Sequence, residues 1–159
     1  FPVLKALNFP LKLVLIGIKK QEDIPLVQAY FETYSNIELE IPVNLNWTTD
    51  EWLYQEIKAF DIGVSPMLDH PFNQAKSAFK AKQYLSCGVP VLASDVGENS
   101  NYVLHQKNGL ICKTTEDFLN GIELFRDMDR TTYNRYQENA LAYLSTFSME
   151  GYCMTMLGT

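Results

Sequence analysis

The sequence predicts an α/β protein, a mostly parallel sheet with flanking helices. Three observations carry this expectation. Short apolar runs recur at 11–17, 61–66, 90–94 and 110–112, each closed by glycine, proline or a polar residue. Longer stretches with apolar residues at helical spacing separate them. The 159 residues are 47% hydrophobic, enough for a compact core, so 1–159 is read as one domain.

Taken in order, residues 1–7 read as the end of a helix with Phe1, Leu4 and Leu7 on one face. No element precedes it, so a fragment of a larger two-domain protein is expected. Residues 11–17 read as a buried parallel strand ended by Gly17. Residues 21–34 read as a helix with Asp23 and Pro25 in its first turn and Leu26, Tyr30 and Phe31 on its inner face. Residues 37–43 alternate like a strand, with Ile37, Leu39 and Ile41 on one side. Thr48 or Thr49 can cap a helix through Ala59 that holds Trp52, Ile57 and Phe60. Residues 61–66 form a strand with a proline stop, about 75–87 a helix, and 90–94 a strand. Residues 97–105 form a loop with a helical turn. Asn108-Gly109 is a turn before the last strand, 110–112. Thr115 can cap a helix with Phe118, Ile122 and Phe125. Residues 129–144 give another, and Ser148 starts a short final one.

Composition excludes several functions. The net charge of −6, with no basic tail or stripe, disfavours a nucleic-acid partner. No apolar run reaches membrane-spanning length, and residues 1–5 lack the layout of a signal peptide. The three cysteines, Cys87, Cys112 and Cys153, are odd in number and lack metal-ligand spacing, which favours a reduced, cytoplasmic setting. With His70 and His105 as the only histidines, no metal site is expected.

The chemistry-bearing residues gather around the strand at 61–66, the helix at 75–87 and the strand at 90–94. Lys76, Lys80 and Gln83 lie four and three residues apart and share one stripe if 75–87 is a continuous helix. Ala78, Ala81 and Leu85 then face the sheet. The lysines suit phosphate or sugar oxygens; Gln83 both donates and accepts, which suits a ribose diol. A solvated helix face accounts for the same spacing. The preceding loop leaves the carboxyl end of a strand, where open α/β folds bind ligands. There Asp69 can accept sugar hydroxyls, and Asn73 and Gln74 can donate to a hydroxyl or phosphate. A structural loop with Asn73 near a helix cap is the alternative. After the next strand, Gly97 lets backbone donors approach a diphosphate. Glu98 to Ser100 can open a helix whose amino end favours anions, although Asp95 and Glu98 oppose that charge. No GxGxxG or GxxxxGK run is present. Cys87, at the end of a packed helix, reads as a structural thiol. Trp47 and Trp52 read as packing groups, with a cleft edge as the alternative for Trp47; Tyr133, Tyr136 and Tyr143 also read as packing groups.

Four stretches, in this order, carry a family resemblance: residues 60–66 (FDIGVSP), 76–84 (KSAFKAKQY), 87–94 (CGVPVLAS) and 108–110 (NGL). Together they resemble the carboxy-terminal half of a retaining glycosyltransferase of the GT-B architecture, glycosyltransferase family 4 (the glycosyltransferase group 1 domain). The resemblance implies a Rossmann-like donor-binding domain, lacking the first strand that normally occupies the middle of its sheet. The implied activity is sugar transfer from a nucleotide-diphosphate sugar to an acceptor, with no other cofactor and no metal. A noncatalytic nucleotide-sugar-binding domain and a GT-B-like interaction domain are the alternatives. Family members usually carry two glutamates around this helix; the positions fall on Ala75 and Gln83, so no catalytic residue is assigned. The donor-binding set is Asn73, Gln74, Lys76, Lys80, Gln83, Gly97 and Glu98. The implied partners are the nucleotide sugar and an amino-terminal domain of the same protein, without which little transfer is expected. An oligomer formed through the incomplete sheet is a further implication. So are polysaccharide biosynthesis and peripheral membrane contact made through the missing region.

Overall fold

The computed structural model describes residues 2–18, 20–43 and 51–145. Contacts cluster into two units, 1–50 and 51–159. Phe1, Trp47, Thr48, Thr49, Ser148 and Cys153, to which the sequence assigned roles, lie outside the described residues.

In the first unit, α1 (Pro2–Ala6) leads to β1 (Leu11–Val14). A 3-10 turn (Gln21–Asp23) precedes α2 (Ile24–Phe31), and β2 (Ile37–Glu40) follows. β1 and β2 pair in parallel, Leu11 beside Ile37 and Val14 beside Glu40. The Asn36 amide donates to the carbonyls of Leu7 (3.0 Å) and Phe9 (3.1 Å), holding the turn ahead of β1 against the entry to β2. Two expectations change here. β1 is half-buried rather than buried, because in a two-stranded sheet each strand is an edge. Leu26 and Tyr30 are exposed. The inward face of α2 instead follows the helical period through Ile24, Val27, Phe31 and Tyr34, with Phe31 buried.

The second unit runs α3 (Glu51–Lys58), β3 (Gly63–Ser65), α4 (Pro71–Gln74), α5 (Phe79–Ser86), β4 (Val91–Ser94), α6 (Asn99–Tyr102), β5 (Gly109–Cys112), α7 (Thr115–Asp127) and α8 (Arg130–Ser145). Its sheet is parallel, in the order β3-β4-β5. β4 is central and buried throughout, and its side chains alternate between two cores as strand geometry requires. Val91 and Ala93 pack with Ala78, Ala81 and Leu85, and with Ala140 of α8. Leu92 faces the other way, into a cluster with Leu110, Cys112, Phe125, Tyr133 and Tyr136. The described strands therefore form two parallel ladders instead of one continuous sheet.

The sequence-predicted helix over 75–87 is two elements. α4 ends at Gln74, Ala78 takes the left-handed conformation (φ 54°, ψ 31°), and α5 begins only at Phe79. The Lys76 carbonyl accepts from Glu98 N at 3.1 Å, a partner outside any helix. Lys76 therefore leaves the stripe with Lys80 and Gln83. Two smaller boundaries also move. Thr114, not Thr115, caps α7: its hydroxyl accepts from Asp117 N while Asp117 accepts from Thr114 N, a capping box. The 105–108 turn has its positive φ at Gln106 (62°). Buried Asn108 locks that turn, its amide oxygen accepting from Leu104 N (2.7 Å) and its nitrogen donating to Tyr102 O (3.1 Å).

Candidate functional site

Because β3 and β4 are parallel neighbours, the loops leaving their carboxyl ends emerge on the same edge of the sheet. The β3–α5 loop carries Asn73, Gln74 and Lys76; the β4–α6 loop carries Gly97 and Glu98. The structure brings these five together through explicit contacts. Gln74 Nε2 donates to Asp69 Oδ1 at 2.6 Å, and Gln74 Oε1 accepts from Gly97 N at 3.2 Å. Glu98 N donates to Lys76 O. Gly97 has φ +62°, and a Cβ there would stand 2.8 Å from the carbonyl oxygens of both Asn73 and Lys76. Only glycine meets both conditions, the left-handed backbone and the close approach.

Several predicted ligand groups turn out to have structural partners. Asn73 Nδ2 donates to Leu68 O at 2.8 Å. His70 Nδ1 accepts from Phe72 N at 3.2 Å and caps α4. Asp95 lies 3.6 Å from Lys113 Nζ, which offsets one of the two charges opposing an anion here. Below the loops, Ser94 Oγ accepts from Met67 N at 2.8 Å, and fully buried Asn99 donates to Ser94 O at 2.9 Å. Sequence reasoning gave Ser94 no role and placed Asn99 only in a helix start, since a serine ending a strand and an asparagine opening a turn look ordinary without knowledge of burial.

The cations remain exposed. Lys76 Nζ sits 5.1 Å from the centroid of the Phe72 ring. Lys80 lies in the first turn of α5, where helical N–H groups have no intrahelical acceptor. Among the described residues its ammonium forms no ion pair. Gln83, half-buried, follows three residues later on the same face. Lys82 points elsewhere, 4.7 Å from the Tyr102 ring centroid. The arrangement is an open ledge. Two surface grooves lie elsewhere, one along residues 10–12 and 35–38, the other among Gln106, Leu124, Met128, Thr132 and Tyr136.

The two described thiols, Cys87 and Cys112, are poorly set up as nucleophiles. Burial raises the Cys87 pKa, and burial together with nearby Asp117 pushes Cys112 up to about 11. Both therefore stay protonated at neutral pH. No group of three or more metal-ligating side chains is found among the described residues, and no described helix is long and apolar enough to cross a membrane.

Comparison with known proteins gives a consistent result. The family model described as "Glycosyl transferases group 1" matches residues 1–126. No curated protein matches the chain. Among solved structures, sucrose-phosphate synthase from Thermosynechococcus elongatus superposes with a TM-score of 0.67 at 19% identity, over 91% of this chain and 36% of that one. Anabaena HepE in complex with UDP and glucose gives 0.60 at 17%, over 84% and 35%. The C-terminal domain of LpcC, a glycosyl transferase group 1 family protein from Francisella tularensis, gives 0.59 at 12%, over 84% and 66%. The chain thus has the fold of a GT-B carboxy-terminal half and spans 36% of the length of the synthase.

Proposed function

This chain belongs to the glycosyl transferases group 1 family, and we propose that it is the donor-binding part of a retaining glycosyltransferase that uses a nucleotide-diphosphate sugar. The observation that carries this reading is the exposed Lys80 in the first turn of α5, without an ion pair among the described residues and beside two interlocked loops at the carboxyl edge of the sheet. That is where a diphosphate gains from both an ammonium and helical N–H donors. In this reading Lys80, Lys76 and the start of α5 take the diphosphate, and Gln83 bonds the ribose. Gly97 and Glu98 form the facing wall, and Asn73 shapes the loop.

The reaction is substitution at the anomeric carbon. The bond from that carbon to the diphosphate oxygen breaks, the bond to an acceptor hydroxyl oxygen forms, and the hydroxyl proton passes to the leaving diphosphate. Positive groups stabilise the charge gathering on the leaving diphosphate. Ala75 supplies no carboxylate near the donor sugar, so the residue facing that sugar differs from the usual family pattern. The acceptor is assigned to an amino-terminal domain of the same protein, and the open ledge becomes a cleft when that domain faces it. Membrane contact, an oligomer made through the sheet edges, and a cytoplasmic setting belong to this proposal as well.

Calorimetric titration with UDP tests the reading. Saturable binding that falls by about ten-fold or more in a folded Lys80→Ala, Gln83→Ala variant supports it, since charge-assisted bonds of this kind carry most of the affinity for an anion. Equal binding by parent and variant would place the nucleotide elsewhere.

A further inference from the structure

We propose that Gln74 is a positioning residue that locks the β3–α5 and β4–α6 loops into one unit, so that Lys76 is held at the nucleotide, and that Gln74 does not itself touch the ligand. The inference rests on the donor-site reading above and departs from it in the role given to Gln74. Both ends of the side-chain amide are engaged. Its nitrogen meets a carboxylate oxygen, Asp69 Oδ1, and its oxygen meets a backbone donor, Gly97 N. Only this orientation of the amide works, because the flipped form would set NH2 against N–H and oxygen against carboxylate. The bond to Gly97 spans 23 positions of sequence, so it joins separate loops instead of decorating one.

Two further contacts lie beside it. Glu98 N donates to Lys76 O, and the Cα of Gly97 lies where no side chain fits, against Asn73 O and Lys76 O. The backbone of Lys76 is thereby tied to the opposite loop through its carbonyl oxygen, next to the Gln74 bridge. Its side chain then has only its own torsions left to order when an anion arrives, and a cation held on an ordered backbone loses less entropy on binding.

The test exchanges donor and acceptor. Gln74→Glu keeps an acceptor for Gly97 N but sets two carboxylates against each other at position 69. UDP affinity of that variant is expected to fall by about five- to ten-fold. In the double variant Asp69→Asn, Gln74→Glu, the amide at 69 donates to the carboxylate at 74, whose other oxygen still accepts from Gly97 N. Affinity is expected to return to within about two-fold of the parent. Amide exchange at Gly97, measured without nucleotide, should quicken in the single variant and slow again in the double.

If Gln74 touched the nucleotide directly, the double variant would stay as weak as the single, since a carboxylate would then face the diphosphate; that result overturns the proposal. An unchanged affinity in Gln74→Glu overturns it too. A folded parent that binds no UDP removes the donor-site reading and the positioning role together. In that case Gly97 exchange reports on the loop interlock alone, which separates failure of the site from failure of the bridge.

Discussion

Gly97 pairs a left-handed backbone with carbonyl oxygens 2.8 Å from where a Cβ would sit. Gly97→Ala is therefore expected to cost about 1–3 kcal/mol, from the left-handed penalty plus displacement of the facing loop. Chemical denaturation measures this, and an unchanged midpoint would show that the two loops do not press on each other. The cysteines give a second residue-level expectation. With Cys112 raised to about 11 and Cys87 raised by burial, thiolate is scarce at neutral pH. A disulfide reagent should label both slowly in the folded chain and quickly after denaturation; rapid labelling of either in the native state would contradict the assigned burial. At this scale the sequence disclosed residue types but not their partners. Gln74 and Asn73 look like free amides when read in line, and only the fold shows that Asp69, Gly97 and Leu68 already hold them.

The capping box of α7 shows how an element depends on two side chains. Thr114→Ala removes the hydroxyl that accepts from Asp117 N and should cost about 1 kcal/mol. Asp117 is held below the ordinary carboxylate range, chiefly by N–H bonds from Lys113 and Thr114. A depressed carboxyl stabilises the fold above its unfolded pKa, and that contribution disappears as pH falls through the folded value. Stability should thus decline below about pH 4, and Asp117→Asn should flatten that part of the curve in pH-dependent denaturation. In the second unit, a side chain at Gly63 would run into the Tyr84 ring of α5. Gly63→Ala is expected to lift α5 from β3, lowering thermal stability and disturbing Lys80 and Gln83 along with it.

The same elements show what periodicity can reveal. The five strands and most helices were legible, since short apolar runs and the spacing of Phe118, Ile122 and Phe125 follow directly from strand and helix geometry. The break at Ala78 was not. Nothing in KSAFKAK stops a helix by propensity, and the left-handed Ala78 follows a residue, Lys76, whose carbonyl is bonded to Glu98 N of another loop and not to a helical N–H. The face of α2 was misjudged for a related reason, because Leu26 and Phe31 both look apolar and only packing chooses between them.

Across the molecule, burial is uneven. β4 is inaccessible along its whole length, while β1 is only half-covered and belongs to a two-stranded ladder. Amide exchange should therefore be slowest at Val91–Ser94 and considerably faster in β1; equal protection of the two would mean that the ladders share one cooperative unit. Unmatched strand edges also invite pairing with further chain. Residue-resolved NMR titration of this chain with UDP tests the proposed nucleoside-diphosphate site at the carboxyl edge of the β3-β4-β5 sheet. Saturable shifts concentrated at residues 76–83 and 97–98 are expected. A folded chain without saturable shifts, or with shifts centred on the groove around Leu124, Thr132 and Tyr136, would contradict that site.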